Sequence, residues 1–267
     1  MVAKPDRSGV AAGRVVRQGE GLVGRVALVT GGGRGIGRAI AVRLSRDGAR
    51  VFVNFRTDRR AGLACVADIH KAGGEAEALQ ADVSDPAQVR RMFEAIRRVA
   101  GRLDILVANA GVALMESDLA RITPALWRKT MDTNAASAFY CAQSAAPFLA
   151  RSTQGRIVFV GSVASRLGGN VGPHYAASKA ALNGLSTWLG RELAANGTTV
   201  NVVEPGYVKT NLSVALHSSA AGRAKMRREV PLGRAGTVDE VASLVAFLAG
   251  PGGAYISRER IAVAGGR

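Results

Sequence analysis

The chain has 267 residues, 48% of them hydrophobic, enough for one large α/β domain with a full core. No apolar run approaches the roughly 20 residues a bilayer span needs, and two cysteines, Cys65 and Cys141, exclude a disulfide framework and lack metal-ligand spacing. The net charge of +16 comes from scattered arginines without interleaved aromatics, which argues against nucleic acid and for an anionic substrate, cofactor or carrier.

Residues 1–22 read as a flexible leader without the apolar centre of a secretory signal, so the cytoplasm is the expected location. Residues 26–29 are a buried-strand run, followed by glycines and a helix to about Asp47 that Gly48 stops. A second strand covers 51–53, a helix 58–72 ends at Gly73, and a short third strand runs over 76–79. Asp85 is placed to cap a helix over 86–100. A fourth strand is predicted at 103–107, a long helix at 125–150 and a fifth strand at 157–160. A helix opening near Gly172 runs to about Ala195, and a sixth strand covers 199–203. A helix at 238–249 and a seventh strand at 261–263 close the chain. This alternation predicts a single Rossmann-type α/β domain over 23–267, a doubly wound seven-stranded parallel sheet with helices on both faces. Residues 206–230 fit that alternation least well. Following the sixth strand at the carboxyl edge of the sheet, they are the expected substrate lid.

Between the first strand and first helix stand Thr30, Gly31, Gly32, Gly33, Arg34, Gly35, Ile36 and Gly37. Glycines there let backbone amides approach a pyrophosphate, and the helix N-terminus favours its charge. An acidic residue at the end of the second strand would bind a ribose 2′-hydroxyl and repel a 2′-phosphate. That strand ends instead in Phe55 and Arg56. Arg34 and Arg56 are therefore expected to clamp the extra phosphate, and the expected cofactor is NADP(H).

The stretch 161–179, GSVASRLGGNVGPHYAASK, carries the chemistry. Ser162 ends the fifth strand, Tyr175 lies thirteen residues later, and Lys179 follows four residues on, on the same helix face. A neighbouring ammonium is expected to lower the Tyr175 pKa and make the phenol a usable proton donor.

This set resembles the short-chain dehydrogenase/reductase family over residues 23–267. The resemblance assigns Gly31, Gly33, Arg34, Gly35, Ile36 and Gly37 to the cofactor loop, Asp82 and Val83 to adenine contact, and Asn109, Ala110 and Gly111 to the family's NNAG stretch, in which Ala108 replaces the first Asn. It makes Asn134 a fourth catalytic residue beside Ser162, Tyr175 and Lys179, the last two also touching cofactor. Pro205, Gly206, Val208 and Thr210 match the PGxxxT stretch beside the nicotinamide. Leu114, Met115, Val163, His174, Tyr207 and Leu212 are the expected substrate-pocket positions; His174 is taken as pocket lining rather than as a base. Within the family the chain looks most like 3-oxoacyl-acyl-carrier-protein reductases, implying reduction of a ketone, in a 3-oxoacyl thioester or a polyketide or other secondary metabolite, free or carrier-bound, to a secondary alcohol by a homotetramer. Thr153 and Asn196 stand where some of those reductases have carrier-binding arginines, and residues 257–260 replace a TGQ-like turn. Competing readings are an alcohol dehydrogenase working oxidatively and a non-catalytic NADP-binding regulator; the second usually lacks a catalytic residue.

Overall fold

A computed structural model describes residues 21–210 and 219–267. Seven strands form one parallel sheet in the order β3-β2-β1-β4-β5-β6-β7. They are β1 (Val26–Val29), β2 (Arg50–Phe55), β3 (Ala76–Gln80), β4 (Ile105–Ala108), β5 (Arg156–Val160), β6 (Thr199–Pro205) and β7 (Arg260–Val263). The chain winds outward from β1 in one direction, then returns to β4 and winds in the other. The reversal between β1 and β4 opens a crevice at the carboxyl edge of the sheet.

The interior strands are buried on both faces, which is why they read as continuous apolar runs rather than alternating ones. Ala27 and Val29 pack under α1 (Gly35–Arg46), α2 (Arg59–Lys71) and, late in the chain, Val238–Ala249. Val26 and Leu28 face the other side, against α3 (Pro86–Ala100), Ser137–Leu149 and Pro173–Glu192.

Local signals set the helix ends. Asp85 accepts from the backbone N–H of Ala87 at 2.8 Å, Pro86 follows it, and Gly101 closes α3 at φ 67°. The long helix predicted over 125–150 consists of α4 (Pro124–Met131), a π-turn (Asp132–Ala136) and α5 (Ser137–Leu149). A short α6 (Ala164–Leu167) follows β5, and α7 (Pro173–Glu192) carries Tyr175 and Lys179. Within the expected lid, α8 (Ala220–Glu229) is described, whereas residues 211–218, including Leu212, lie outside the described residues. The last helix, α9 (Val238–Ala249), begins at a reciprocal Thr237–Glu240 capping box.

Two boundaries differ from expectation. Leu22 belongs to the packed domain rather than to a leader: it is 1% exposed, and its N–H donates to the Asp47 carbonyl at 2.8 Å. The fourth strand starts at Ile105, because the Asp104 side chain turns back to accept from the Val26 N–H at 2.9 Å.

Candidate active site

The glycine loop is built for close approach. Gly31 has φ +61°, and a Cβ added at Gly37 would lie 2.3 Å from the Gly31 carbonyl oxygen. Asn109 Nδ2 donates to the carbonyls of Thr30 at 2.9 Å and Gly31 at 3.3 Å. Thr30 Oγ1 in turn accepts from the backbone N–H groups of Asn109 and Ala110, both at 3.0 Å. Asn54 ties the other side: its Oδ1 accepts from Gly31 N at 3.2 Å, while its Nδ2 donates to Leu79 and Ala81 carbonyls. Gly33 packs on Gly62, where a Cβ would meet the Phe55 ring at 2.3 Å. Phe55 is thus a buried wall behind the loop. Neither Asn54 nor Gly62 is marked by the glycine motif, since both act from neighbouring strands and helices.

Above this loop the crevice is open. Gly35 has φ +54°, and the nearest atom to its Cβ direction is Thr210 Cγ2 at 3.9 Å. Arg34, exposed, stands just before α1, and Arg56 leads into a groove lined by Thr57, Gln80, Asp82, Gln88 and Arg91. Arg56 Nη1 lies 3.8 Å from Asp82 Oδ2, so the predicted phosphate clamp and adenine contact adjoin one another. Val83 is buried beneath them. An uncovered glycine loop, a helix N-terminus and exposed cations fit a phosphorylated dinucleotide.

The reactive groups converge beside it. Ser162 is close enough to the Tyr175 phenol to hold its pKa down, and its Oγ accepts from Ala164 N at 3.1 Å. Lys179 is 5% exposed; its Nζ donates to the Val160 carbonyl at 2.8 Å and lies 5.9 Å from the Tyr175 ring centre. Asn134 lies in the π-turn, which swings its amide inward: Oδ1 accepts from Val112 N at 2.7 Å, and Nδ2 donates to Val112 O and Ser178 Oγ, both at 3.0 Å. Ser178 Oγ donates onward to the Tyr175 carbonyl at 2.8 Å, a link the sequence did not flag. A Cβ at Gly111 would touch both Asn134 Oδ1 at 3.1 Å and Lys179 Nζ at 3.5 Å, so the three residues meet at one point.

The electrostatics differ from expectation in one respect. Burial raises the Tyr175 pKa, and only Ser162 works against it. Burial also lowers Lys179 to about 8. The Lys179 ammonium donates to the Val160 carbonyl, and with its pKa raised by burial the Tyr175 phenol is neutral at neutral pH.

The substrate-side residues are spread more widely. Val163 is buried, Leu114 half-buried and Met115 70% exposed. His174 is fully buried and bonded through Nε2 to the Leu114 carbonyl at 2.8 Å, which braces that loop. The Tyr207 hydroxyl donates to Glu229 at 2.8 Å. Val208 is buried and bridges Gly236, while Pro205 ends β6 and Gly206 follows it. Glu204, also missed, is a buried carboxylate that accepts from Ser165 Oγ at 2.6 Å and Arg166 Nε at 3.0 Å, anchoring α6 behind Ser162. A charged residue inside a seven-residue buried strand was the available signal. Among the described residues no cluster of three potential metal ligands occurs, and no helix is long and apolar enough to cross a membrane.

A family model described as enoyl-(acyl carrier protein) reductase matches residues 31–267. The chain is 40% identical over 243 residues to the 3-oxoacyl-[acyl-carrier-protein] reductase FabG of Escherichia coli K12, covering 91% of this chain and 97% of that one. It is 37% identical over 240 residues to FabG of Staphylococcus aureus Mu50, covering 90% and 96%. A short-chain dehydrogenase of Burkholderia cenocepacia, solved with NADP, superposes with a TM-score of 0.85 at 39% identity, covering 92% of this chain and 98% of that one. A metagenomic blue fluorescent protein solved with NADPH superposes with a TM-score of 0.85 at 37% identity, over 92% and 98%. With the crevice, the glycine loop and the Ser162–Tyr175 hydroxyl pair in place, these likenesses assign the chain to the short-chain dehydrogenase/reductase family.

Proposed function

We propose that this oxidoreductase uses NADPH to reduce a ketone, a 3-oxoacyl thioester or a related secondary-metabolite ketone, to a secondary alcohol. The observation that carries the reading is the Ser162–Tyr175 hydroxyl pair above buried Lys179 and Asn134, beside an open glycine loop. The likeness to FabG supports the acyl substrate, and the NADP- and NADPH-bound relatives support the cofactor.

Bound NADPH supplies a hydride to the carbonyl carbon. Ser162 and Tyr175 hold the carbonyl oxygen and stabilise the charge that develops on it. Tyr175, neutral because burial raises its pKa, gives that oxygen its proton. Lys179 orients the nicotinamide ribose with the N–H groups not used on Val160. Asn134 holds a water that links Lys179 to solvent for proton return. Arg34 and Arg56 take the 2′-phosphate, with Asp82 and Val83 beside the adenine. The enzyme works as a cytoplasmic homotetramer, and the substrate arrives free or on an acidic carrier that Arg128 and Lys129 on α4 help to dock.

Nicotinamide absorbance with acetoacetyl thioester, a ketone panel and a crotonyl thioester tests this. Oxidation of NADPH with the ketones is expected. Turnover of the crotonyl thioester alone would move the reaction to a carbon–carbon double bond, as in the family model's description. No turnover with any acceptor would leave a cofactor-binding protein without the proposed activity.

A further inference from the structure

The loop leading into α7 turns on glycines. Gly168, Gly169 and Gly172 adopt φ of +74°, +70° and +137°, and they flank Asn170. Tyr175 follows directly, so whatever fixes this loop fixes the proton donor. One edge is held by the main chain: Glu116 N donates to the Val171 carbonyl at 2.9 Å. The other edge is held by side chains from three distant segments.

Asn170 Nδ2 donates to the Tyr207 hydroxyl at 3.2 Å. That hydroxyl donates to Glu229 Oε2 at 2.8 Å. Arg267 Nη2 lies 2.8 Å from the same carboxylate, and its guanidinium carbon is 4.2 Å from the Tyr207 ring centre. The polarity of the chain is fixed. An ionised carboxylate only accepts, so Tyr207 must donate to it and offer its lone pair to Asn170. Tyr207 is also anchored at its backbone, where its carbonyl accepts from Gly236 N at 2.8 Å. Arg267 is 15% exposed and Glu229 25%, so water competes weakly for the ion pair.

We propose that Asn170, Tyr207, Glu229 and Arg267 form a polar clasp that holds the catalytic loop in register for substrate, with Glu229 and Arg267 acting as positioning residues. This rests on the ketoreductase reading for its kinetic consequence alone. The clasp assigns Tyr207 a role other than donating to substrate: its one proton is committed to Glu229.

Steady-state kinetics and amide hydrogen exchange of Arg267→Ala and Asn170→Asp test the clasp. Asp has the shape of Asn but cannot donate to Tyr207. The Michaelis constant for the ketone is expected to rise roughly three- to tenfold, with kcat and NADPH affinity within about twofold, and the double variant is expected to be little worse than either single one. Amides of residues 168–172 are expected to exchange faster while those of the central strands do not change. Arg267→Lys should restore most of both properties. Unchanged exchange in that loop overturns the clasp, as does faster exchange with an unaltered Michaelis constant. If the wild type reduces no ketone, the ketoreductase reading fails and the exchange measurement alone decides the clasp.

Discussion

Two buried charges at opposite ends of the sheet, Asp104 and Lys179, are treated in opposite ways. At the amino ends, Asp104 is surrounded: it accepts from Val26 N and Arg102 Nε at 2.9 Å, and from Arg102 Nη2 and Ser152 Oγ at 2.8 Å. Burial alone would raise its pKa, yet these donors outweigh it and hold it below the ordinary carboxylate value. Nearby Arg25 staples two segments by donating to the Ala249 carbonyl at 2.6 Å and to the Gln154 carbonyl. At the carboxyl ends, Lys179 is as deeply buried, but among the described residues it bonds one carbonyl and no carboxylate. A compensated charge such as Asp104 stabilises the fold, whereas one with no counter-charge beside it, such as Lys179, is retained at a cost.

The sharpest break in that comparison is Tyr175→Phe, which leaves the packing alone and removes the proton. Turnover should fall by about 10²–10⁴-fold or more while NADPH binding, read by fluorescence titration, stays near wild type. Equal loss of both would take Tyr175 out of the chemistry.

Asp104→Ala should do the reverse, sparing the chemistry and lowering stability by about 2–4 kcal/mol in denaturant melts, because it leaves Arg102, Val26 and Ser152 without their acceptor. A loss under about 0.5 kcal/mol would show that the amino-end network is ornamental.

Lys179→Met should abolish activity yet stabilise the protein by about 1–2 kcal/mol at pH 7. The folded-state pKa is lowered to about 8, so below that value both folded and unfolded states hold the proton and the burial penalty is fully in force. As pH rises from about 8 toward the unfolded value of about 10.4, the unfolded state binds more protons, wild-type stability gains, and the difference between the proteins shrinks. Reduction by the wild type should weaken over the same rise, as the ammonium is lost.

The smallest effect concerns two exposed cations, Arg34 in the glycine loop and Arg56 after β2. Arg34→Ala with Arg56→Asp should shift the NADPH-to-NADH preference by about tenfold or more, read as a ratio of kcat/KM values. An unchanged ratio would place the phosphate elsewhere, with Arg91 in the same groove as the next candidate.

Much of this was legible because it is local. The glycine loop between a strand and a helix, the Asp85 cap, and the spacing of Ser162, Tyr175 and Lys179 each lie within a few turns of chain. Asn134 was reachable only through family resemblance, since nothing in its neighbours announces a π-turn. Asn54, Glu204, Ser178 and the Asn170–Tyr207–Glu229–Arg267 chain act across strands or between distant segments, where spacing carries no signal. The direction of the Tyr175 shift was misread for a related reason. Four residues of separation put Lys179 near the ring, but which way the ammonium points depends on Val160, and how buried the phenol is depends on the whole crevice.

The π-turn at Asp132–Ala136 has a consequence for engineering. One surplus residue in a helical turn rotates everything downstream by about 100° relative to an uninterrupted rod. A single-residue deletion there would keep the rod while mismatching the azimuth of its two halves, leaving either α4 or the Ala138, Cys141 and Ala145 stripe facing the wrong way. Insertions and deletions at this spot should therefore be far less tolerable than substitutions, although much of its outer face is only partly covered.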